Sequence, residues 1–391
     1  MKLIFFIRTT SDHKIKRDDF RDISNRLRSH GNEIDIYDTA TGVLFRLEEQ
    51  AELKVLKEYH ISRHNRLLLL LTRLFSLYRL CSDNRNDYDV AHFCYVREEF
   101  LILWWKLRRV ADKTIITIYG ADLGSRNLIK KIFSKFLYNA DILTVTGSNG
   151  RDLLKKYYDY DRLKEKIMQI PLPSLVLKEV ASSVCTRAEA KARLGLSPDD
   201  YVVVCGSVLS RNEQYERWLK KLEITTFNDR ALIFFFPFTY GDESYRVECT
   251  RTIYETLPHK NVRIISGWMS NEATAELRIA TDVLITLRRS DQFAGIIIES
   301  LAAGSMVITG DWLGYKYLDE NLIWHYRITR FDQLRETLEK ALYEADKSEI
   351  RSRADQAREI LLSSFGYEKV AGMWDNFYRE LPLLKMNIHE Q

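Results

Sequence analysis

Short apolar runs rich in β-branched and aromatic residues alternate with longer amphipathic stretches along the first part of the chain. The short runs predict strands at 2–7, 33–37, 89–93, 114–118 and 141–145. Apolar residues at helical spacing predict helices within 18–30, 97–110 and 125–139. Strands that alternate with helices in this way are typical of a parallel α/β sheet covered by helices.

The same alternation begins again after the Pro-containing segment IPLPS at 170–174. Strands are predicted at 201–205, 231–236, 262–265, 282–287 and 306–309, and helices at 213–222, 245–256, 271–279 and 295–303. We therefore expect an α/β protein with two Rossmann-like domains. Ligands of open α/β sheets bind at the carboxyl ends of the strands, so we expect the domains to face a central cleft that holds the site.

The composition agrees with two ordered domains. The chain has 391 residues, which exceeds the size at which one core usually stops growing. Its 46% hydrophobic and 29% charged residues are typical of a globular protein. The five cysteines are scattered and form no CxxC or Cys/His pairing, which argues against a disulfide framework and a zinc site.

Two features bear on localisation. The N-terminus turns polar after seven residues, too early for a secretory signal, so we expect a cytoplasmic protein. The closest approach to a membrane-spanning run, at 66–80, is interrupted by Arg73 and falls short of the roughly 20 apolar residues that cross a bilayer. Ordinary core and peripheral contact with the inner leaflet are the two interpretations of this run and of Trp104 and Trp105.

Charge is unevenly distributed and narrows the class of function. Residues 1–172 carry 31 lysines and arginines against 23 acidic residues, and the remainder carries 28 against 32, so the first half prefers anions. The basic residues are dispersed and form no recognised nucleic-acid motif. The loop after the first strand has no glycine, which argues against a dinucleotide-dependent oxidoreductase or epimerase.

The most informative segment is 280–311, where a buried strand, a polar loop and a helix follow one another. The polar loop carries Arg288 and Asp291, and the helix begins near Gly295. Its first N–H groups would stabilise a diphosphate, and Glu299 lies one turn further in, where a carboxylate can accept hydrogen bonds from ribose hydroxyls. Gly304 suits the C-terminal cap of this helix.

Asp291, seven intervening residues and Glu299, followed by SLAAGSMVITGD, resemble the E-x7-E signature and its trailing E-A-M-A-x-G-x-P-V-I run in the retaining glycosyltransferase family 4 of the GT-B fold. Earlier, DVAHFCY, TIITIYGADL and NADILTVTGSNGRDLLKKYY resemble the N-terminal domain of that family. FGYEKVAGMWDNFYREL resembles the helix that crosses back onto it. The resemblance implies an acceptor domain at 1–172 joined by helix 367–391, and a donor domain at 173–366.

A looser similarity links CGSVLSRNEQYERWL and FFPFTYGDESY to the fucosaminyltransferase that acts on undecaprenyl-linked intermediates of enterobacterial common antigen. That enzyme also has the GT-B fold. The similarity makes a polyprenyl-linked acceptor one of the expected substrates.

The family resemblance assigns roles to residues of this chain. It implies that Glu299 holds the donor ribose, that Asp291 contacts the transferred sugar, and that the amides of Gly295 and Ile296 contact the diphosphate. The remaining expected donor contacts are Gly206, Ser207 and Arg211 at the phosphates, and Gly267 and Trp268 at the base. Asp122 or His92 would orient the acceptor.

We therefore expect a retaining transferase that moves a sugar from a nucleoside-diphosphate donor to a glycan or polyprenyl-diphosphate-linked acceptor, in bacterial surface polysaccharide or glycoconjugate assembly. The resemblance implies no cofactor and no metal, and the sequence shows no metal-ligand cluster. Asp291 replaces the usual glutamate, Ser207 an arginine, and Tyr119 a histidine. These departures keep a second hypothesis open, a catalytically inactive GT-B scaffold that binds a partner.

Overall fold

The computed structural model describes residues 1–7, 18–48, 52–59, 66–94, 98–119, 135–147, 149–222, 232–239, 241, 243–257, 261–344 and 347–382. The chain divides into two compact units. The first unit comprises Met1–Pro173 together with the chain from Val370 onward, and the second comprises Ser174–Lys369. The chain passes from the second unit to the first within its last described helix.

The strands are, in chain order, β1 (Lys2–Ile7), β2 (Glu33–Asp38), β3 (Val43–Leu47), β4 (Leu53–Glu58), β5 (Tyr88–Phe93), β6 (Ala111–Ile118), β7 (Ile142–Val145), β8 (Ile167–Gln169), β9 (Tyr201–Cys205), β10 (Leu232–Phe238), β11 (Val262–Ser266), β12 (Val283–Thr286), β13 (Met306–Gly310) and β14 (Tyr326–Ile328).

The α-helices are α1 (Asp18–Ser29), α2 (Arg66–Asp83), α3 (Glu98–Leu107), α4 (Gly150–Tyr157), α5 (Leu175–Ser182), α6 (Arg187–Arg193), α7 (Tyr215–Trp218), α8 (Glu243–Thr256), α9 (Asn271–Ala280), α10 (Gly295–Ala302), α11 (Lys316–Glu320), α12 (Leu334–Glu339), α13 (Lys347–Phe365) and α14 (Tyr367–Glu380). A further helical turn lies at 135–139, and the rest of the helix predicted at 125–139 lies outside the described residues.

The first unit contains a sheet in the order β4-β3-β2-β1-β5-β6-β7-β8. Its strands pair in parallel except for β2–β3–β4, which is antiparallel. Successive residues of β1 supply both cores: Ile4 and Phe6 pack towards α2 and α3, while Phe5 packs towards α1 and α14. The five strands predicted here are confirmed, and β3, β4 and β8 are additional.

The second unit contains a fully parallel sheet in the order β11-β10-β9-β12-β13-β14. The five predicted strands are confirmed. One predicted helix, at 213–222, is wrong as a continuous element: a 3-10 turn at Arg211–Glu213, α7 and a second 3-10 turn at Leu219–Lys221 replace it. Gln214 interrupts the helix because its φ of 56° is left-handed.

The strand order reverses between β9 and β12, and this reversal positions the candidate site. From β9 the chain moves to β10 and β11 on one side, then returns to β12 and continues to β13 on the other. The loops that leave β9 and β12 therefore begin side by side at the carboxyl edge of the sheet, the usual ligand position in such folds. Within the described part of the chain, no helix combines the length and apolarity needed to span a bilayer.

Candidate functional site

The loops after β9 and β12 are hydrogen-bonded to each other through Asn212. Its carbonyl oxygen accepts from the Arg289 N–H at 2.8 Å, and its side-chain amide donates to the Ser290 carbonyl at 2.9 Å. Gln214 adds a bond from Nε2 to the Leu287 carbonyl at 2.8 Å. The reversal point of the sheet is therefore a fixed double loop whose backbone groups are tied together across more than 70 residues of sequence.

A buried ionic cluster lies between these loops. Arg288 Nε donates to Glu213 Oε1 at 2.9 Å, and Nη1 donates to Asp291 Oδ1 at 3.1 Å. Ser207 contributes its hydroxyl to the same Glu213 oxygen at 3.0 Å and also contacts Arg288 Nη2. One cation thus faces two carboxylates, so the cluster carries a net negative charge when all three groups are ionised.

The charge of Arg288 is secured by its neighbours. Burial by itself would lower the pKa of this guanidinium, but the adjacent carboxylates of Glu213 and Asp291 outweigh burial and leave the pKa above its ordinary value. Glu213 Oε2 is buried and has no hydrogen-bond partner among the described residues. It lies beside Gly206, where a Cβ would fall 3.1 Å from this oxygen and 2.2 Å from the Tyr215 hydroxyl oxygen.

Asp291 organises the start of α10. Its Oδ2 accepts from the backbone N–H groups of Phe293 and Ala294, at 3.2 and 2.6 Å, and from the Tyr315 hydroxyl at 2.9 Å. Phe293 has a φ of 128°, so this turn holds a non-glycine residue in a strained conformation. Both oxygens of Asp291 are therefore engaged by protein donors. The predicted contact with a transferred sugar stays a prediction.

Helix α10 begins at Gly295, as predicted, and Glu299 lies one turn after this start. The N–H groups of Gly295 and Ile296 have no acceptor inside the helix because they belong to its first turn. A Cβ at Gly295 would lie 3.2 Å from Glu299 Oε1. The absence of a side chain at Gly295 therefore keeps the space beside this carboxylate open. The predicted cap at Gly304 is confirmed by its φ of 81°.

Two side chains orient the Glu299 carboxylate. Oε1 accepts from the Ser174 hydroxyl at 2.8 Å, and Oε2 accepts from Arg278 Nε at 3.2 Å. Arg278 is fully buried, and burial lowers its pKa although the charge of Glu299 opposes the shift. Its Nη1 has no hydrogen-bond partner among the described residues. Glu299 is held in one position, and its role towards a ribose stays a prediction.

The remaining predicted donor contacts lie around this edge. Arg211 is exposed, pairs with Glu248 at 3.3 Å and stacks over Tyr245. Gly267 and Trp268 follow β11, and the Trp268 side chain is 63% exposed. Trp312 follows β13 and anchors the Arg288 loop by donating its indole N–H to the Arg288 carbonyl at 2.7 Å.

His92, in the first unit, is buried in β5. Its Nε2 lies 2.6 Å from the Thr117 hydroxyl, which lies 2.6 Å from the Thr144 hydroxyl, and its Nδ1 contacts the Tyr378 hydroxyl of α14. Burial lowers the pKa of His92 to about 3, so the ring is neutral at physiological pH. These are the contacts of a core histidine, and a role towards the acceptor stays a prediction. Asp122 lies outside the described residues.

A wide depression of about 1560 Å³ lies at the opposite, amino edge of the second sheet. Arg187 and Lys191 line it, but both side chains already bind other groups of the protein. Arg187 donates to the carbonyls that end α10, at 2.7 Å from Gly304 O, and Lys191 pairs with Asp282 at 2.8 Å. Arg187 and Lys191 therefore serve a helix end and the start of a strand of the second unit and are not available to a ligand. The described residues contain no group of side chains suited to hold a metal ion.

Solved structures resemble the chain over nearly its whole length. Sucrose-phosphate synthase from Thermosynechococcus elongatus aligns with a TM-score of 0.75 and 16% identity, over 98% of this chain and 100% of that one. HepE of Anabaena, solved with UDP and glucose, aligns with a TM-score of 0.72 and 14% identity, over 97% and 100%. WaaG, a glycosyltransferase involved in lipopolysaccharide biosynthesis, aligns with a TM-score of 0.65 and 16% identity, over 95% and 98%.

These likenesses establish the fold. The chain has the α/β architecture of the GT-B glycosyltransferases, with two Rossmann-like domains built on largely parallel sheets, as the sequence predicted. Neither a protein-family model nor a curated protein sequence matches the chain.

Several residues of this site were not anticipated from the sequence. The sequence predicts Glu213 inside a continuous helix, identifies Arg288 only as a charge of the polar loop, and gives no signal for Ser174, Arg278 or Tyr315. Apart from the pair of Arg288 with Asp291, the contacts that bind these residues to one another, to Asp291 and to Glu299 join residues more than 20 positions apart, so sequence spacing does not reveal them. The only local cue was the cluster of arginines directly after a buried strand.

Proposed function

We propose that this protein is a retaining glycosyltransferase that uses a nucleoside-diphosphate sugar. The observation that carries the proposal is the start of α10, where the amides of Gly295 and Ile296 and the carboxylate of Glu299 lie together at the strand-order reversal of the second sheet. Amides at a helix start favour an anion, and a fixed carboxylate one turn away favours hydroxyl donors. A nucleoside diphosphate combines both features.

The donor would lie along the carboxyl edge of this sheet. Its diphosphate would accept from the Gly295 and Ile296 amides, and its ribose hydroxyls would donate to Glu299. Trp268 is more than half exposed at the end of β11 and would face the base. Arg288 already faces two carboxylates, so the exposed Arg289 beside it would supply a cation for the phosphates, and the exposed Arg211 would supply a second by exchanging Glu248 for the donor.

The transfer would proceed with retention and without a cofactor or a metal. The acceptor hydroxyl oxygen bonds to the anomeric carbon on the face that the diphosphate leaves, and the bond from that carbon to the phosphate oxygen breaks with its electron pair going to the diphosphate. The hydroxyl proton passes to an oxygen of the departing diphosphate. The helix amides stabilise the charge that develops on the leaving group.

The acceptor would be a glycan or a polyprenyl-diphosphate-linked intermediate in bacterial surface polysaccharide assembly, reached from the cytoplasm at the inner leaflet. WaaG, one of the similar structures, is described as acting in lipopolysaccharide biosynthesis, which supports this class of acceptor. Asp122 or His92 would orient the acceptor, as the family resemblance implies.

One observation favours a second candidate, a non-catalytic scaffold. Both carboxylate oxygens of Asp291 accept hydrogen bonds, from Arg288, from Tyr315 and from the start of α10. The residue that replaces the glutamate of the related family is therefore already bonded within the protein. A scaffold of this kind would bind a partner and would turn over no donor.

A donor panel separates the two candidates. The purified chain is titrated with UDP, GDP and dTDP by calorimetry, and the corresponding sugars are tested for hydrolysis and transfer. We expect binding of at least one nucleotide that Glu299→Ala weakens, and slow donor hydrolysis with retained configuration. Binding without turnover would favour the scaffold, and no binding by any nucleotide would contradict both donor use and the assigned site.

A further inference from the structure

Helices α2 and α3 of the first unit expose apolar side chains that a helix at a protein surface would normally bury. Phe75 is 60% exposed, Leu71, Ile102 and Trp105 are each 53% exposed, and Tyr78 is 43% exposed. We call these five residues the α2–α3 patch. Monomeric soluble proteins seldom expose large apolar side chains in a contiguous group without a use for them.

The five side chains follow helical spacing, which makes the patch continuous. Leu71, Phe75 and Tyr78 are separated by four and three residues and share one stripe of α2, and Ile102 and Trp105 are three residues apart on α3. Lys106 bridges the helices, because its Nζ lies 3.2 Å from the centroid of the Tyr78 ring and 5.6 Å from that of Trp105.

A second face of α2 packs against the core of the first unit. Leu77, Leu80 and Cys81 are buried in the core against the sheet. Helix α2 is therefore apolar on two faces, and only one of them is used for folding. An apolar face that is not packed against the core is typical of a helix that contacts a partner or a lipid bilayer through that face.

The charge around the patch is positive. Arg79 lies over the Phe75 ring, Lys106 lies over Tyr78, and Arg108 and Arg109 are exposed in the turn after α3. Two nearby acidic side chains are paired: Glu99 is buried beside Arg73, with 3.5 Å between the charged atoms, and Asp83 binds Lys57 at 2.8 Å. Exposed cations around exposed aromatic side chains complement an anionic surface.

We propose that the α2–α3 patch docks on an anionic lipid bilayer. Leu71, Phe75 and Ile102 would enter the acyl boundary, while Trp105 and Tyr78 suit the headgroup level because each has an apolar ring and a polar tip. Lysine and arginine next to the apolar residues attract anionic headgroups. The inference rests on the proposed function in one respect, since it brings the protein to a lipid-linked acceptor.

Flotation of the full chain with vesicles tests the proposal. The vesicles contain phosphatidylcholine alone or an equal mixture with phosphatidylglycerol. We expect the wild type to float with the mixed vesicles and to be released by salt. The double variant Phe75→Ser/Trp105→Ser should bind at least 10-fold less, since it removes both aromatic rings from the contact with the bilayer. Arg108→Glu/Arg109→Glu should lose binding to the mixed vesicles.

Val247→Ser is the matched control, because Val247 is 67% exposed on α8 of the second unit. This variant should float as the wild type does. Equal flotation with both vesicle types, or equal loss in all variants, overturns the proposal. A dimer in solution that only Phe75→Ser/Trp105→Ser dissociates, without vesicle binding, assigns the patch to a second copy and also overturns it.

Nucleotide binding in solution, measured without vesicles, keeps this test separate from the proposed function. The patch variants should bind nucleoside diphosphates as the wild type does. Vesicle binding without nucleotide binding would support the proposed docking surface and contradict the proposed glycosyltransferase function. The reverse result would contradict only the docking surface.

Discussion

Arg288 and Glu213 are joined by a buried ion pair, 2.9 Å from Nε to Oε1, across the two loops where the second sheet reverses its strand order. The side chain of Glu213 is 2% exposed and that of Arg288 is 16% exposed. Seventy-five residues separate them in sequence. The pair therefore fixes the floor of the candidate site by linking two segments that no local interaction would hold together.

Replacing Arg288 with methionine should be strongly destabilising. The buried Glu213 carboxylate would lose its cation, and removing one partner of a buried pair typically costs about 3–5 kcal/mol of the free energy of unfolding. Urea denaturation of the second unit measures this loss. Arg289→Met is the matched control, because Arg289 is exposed and should change stability by less than about 0.5 kcal/mol. Equal losses in the two variants would show that the ion pair contributes nothing.

Gly295→Ala should weaken nucleotide binding while leaving α10 intact. The added Cβ would lie 3.2 Å from Glu299 Oε1, so the carboxylate must move from its fixed position. We expect about 10-fold weaker binding of a nucleoside diphosphate, equivalent to about 1.4 kcal/mol, by calorimetry. Gly372→Ala is the control, since a Cβ there meets nothing within 4 Å. Unchanged affinity in Gly295→Ala would remove Glu299 from the binding site.

Ser174 has two tasks that a control variant can separate. Its hydroxyl oxygen accepts from Leu177 N at 3.0 Å as the N-cap of α5, and its hydroxyl donates to Glu299 at 2.8 Å. Ser174→Ala should lower thermal stability by about 1 kcal/mol and also weaken nucleotide binding. Thr186 caps α6 and has no bond to Glu299. Thr186→Ala should therefore lose similar stability with unchanged affinity, and a parallel loss of affinity in both would contradict the assignment.

His92 should make the protein less stable in mild acid. Its pKa is about 3 in the folded chain, below the ordinary value of 6.5, so between these values the unfolded chain binds the proton that the folded chain refuses. Stability from this group is complete above pH 6.5 and is lost as the pH falls towards 3. Between pH 7 and 5 the loss amounts to about 2 kcal/mol.

Denaturant unfolding of the wild type and of His92→Gln at these two pH values measures the difference. The variant lacks the titrating ring, so its stability should fall by about 2 kcal/mol less than that of the wild type over this interval. His325, whose pKa is also lowered by burial, titrates in both proteins and cancels in the comparison. Equal acid sensitivity of the two proteins would mean that His92 is protonated in the folded chain.

The strands of both sheets were predictable because parallel strands buried on both faces read as short, continuous apolar runs. The elements that were missed have different patterns. β4 is exposed along most of its length, and Lys54, Lys57 and Glu58 make up half of its six residues, so its sequence carries no strand signal. The interrupted helix around Gln214 was missed because its left-handed φ is imposed by the loop contact with Leu287 and not by its residue type.

The sequence by itself determined the α/β class, the two series of strands, and the segment from Asp291 to Glu299 as the candidate donor site, because each of these depends on local periodicity or on residues fewer than ten positions apart. Only the tertiary structure decided which side chains bind Asp291 and Glu299. It engaged Asp291 with Arg288 and Tyr315, and it held Glu299 between Ser174 and Arg278. Arg288 lies three residues before Asp291, but Ser174, Arg278 and Tyr315 come from other loops and helices. Partners of that kind are fixed by the fold and leave no spacing to detect.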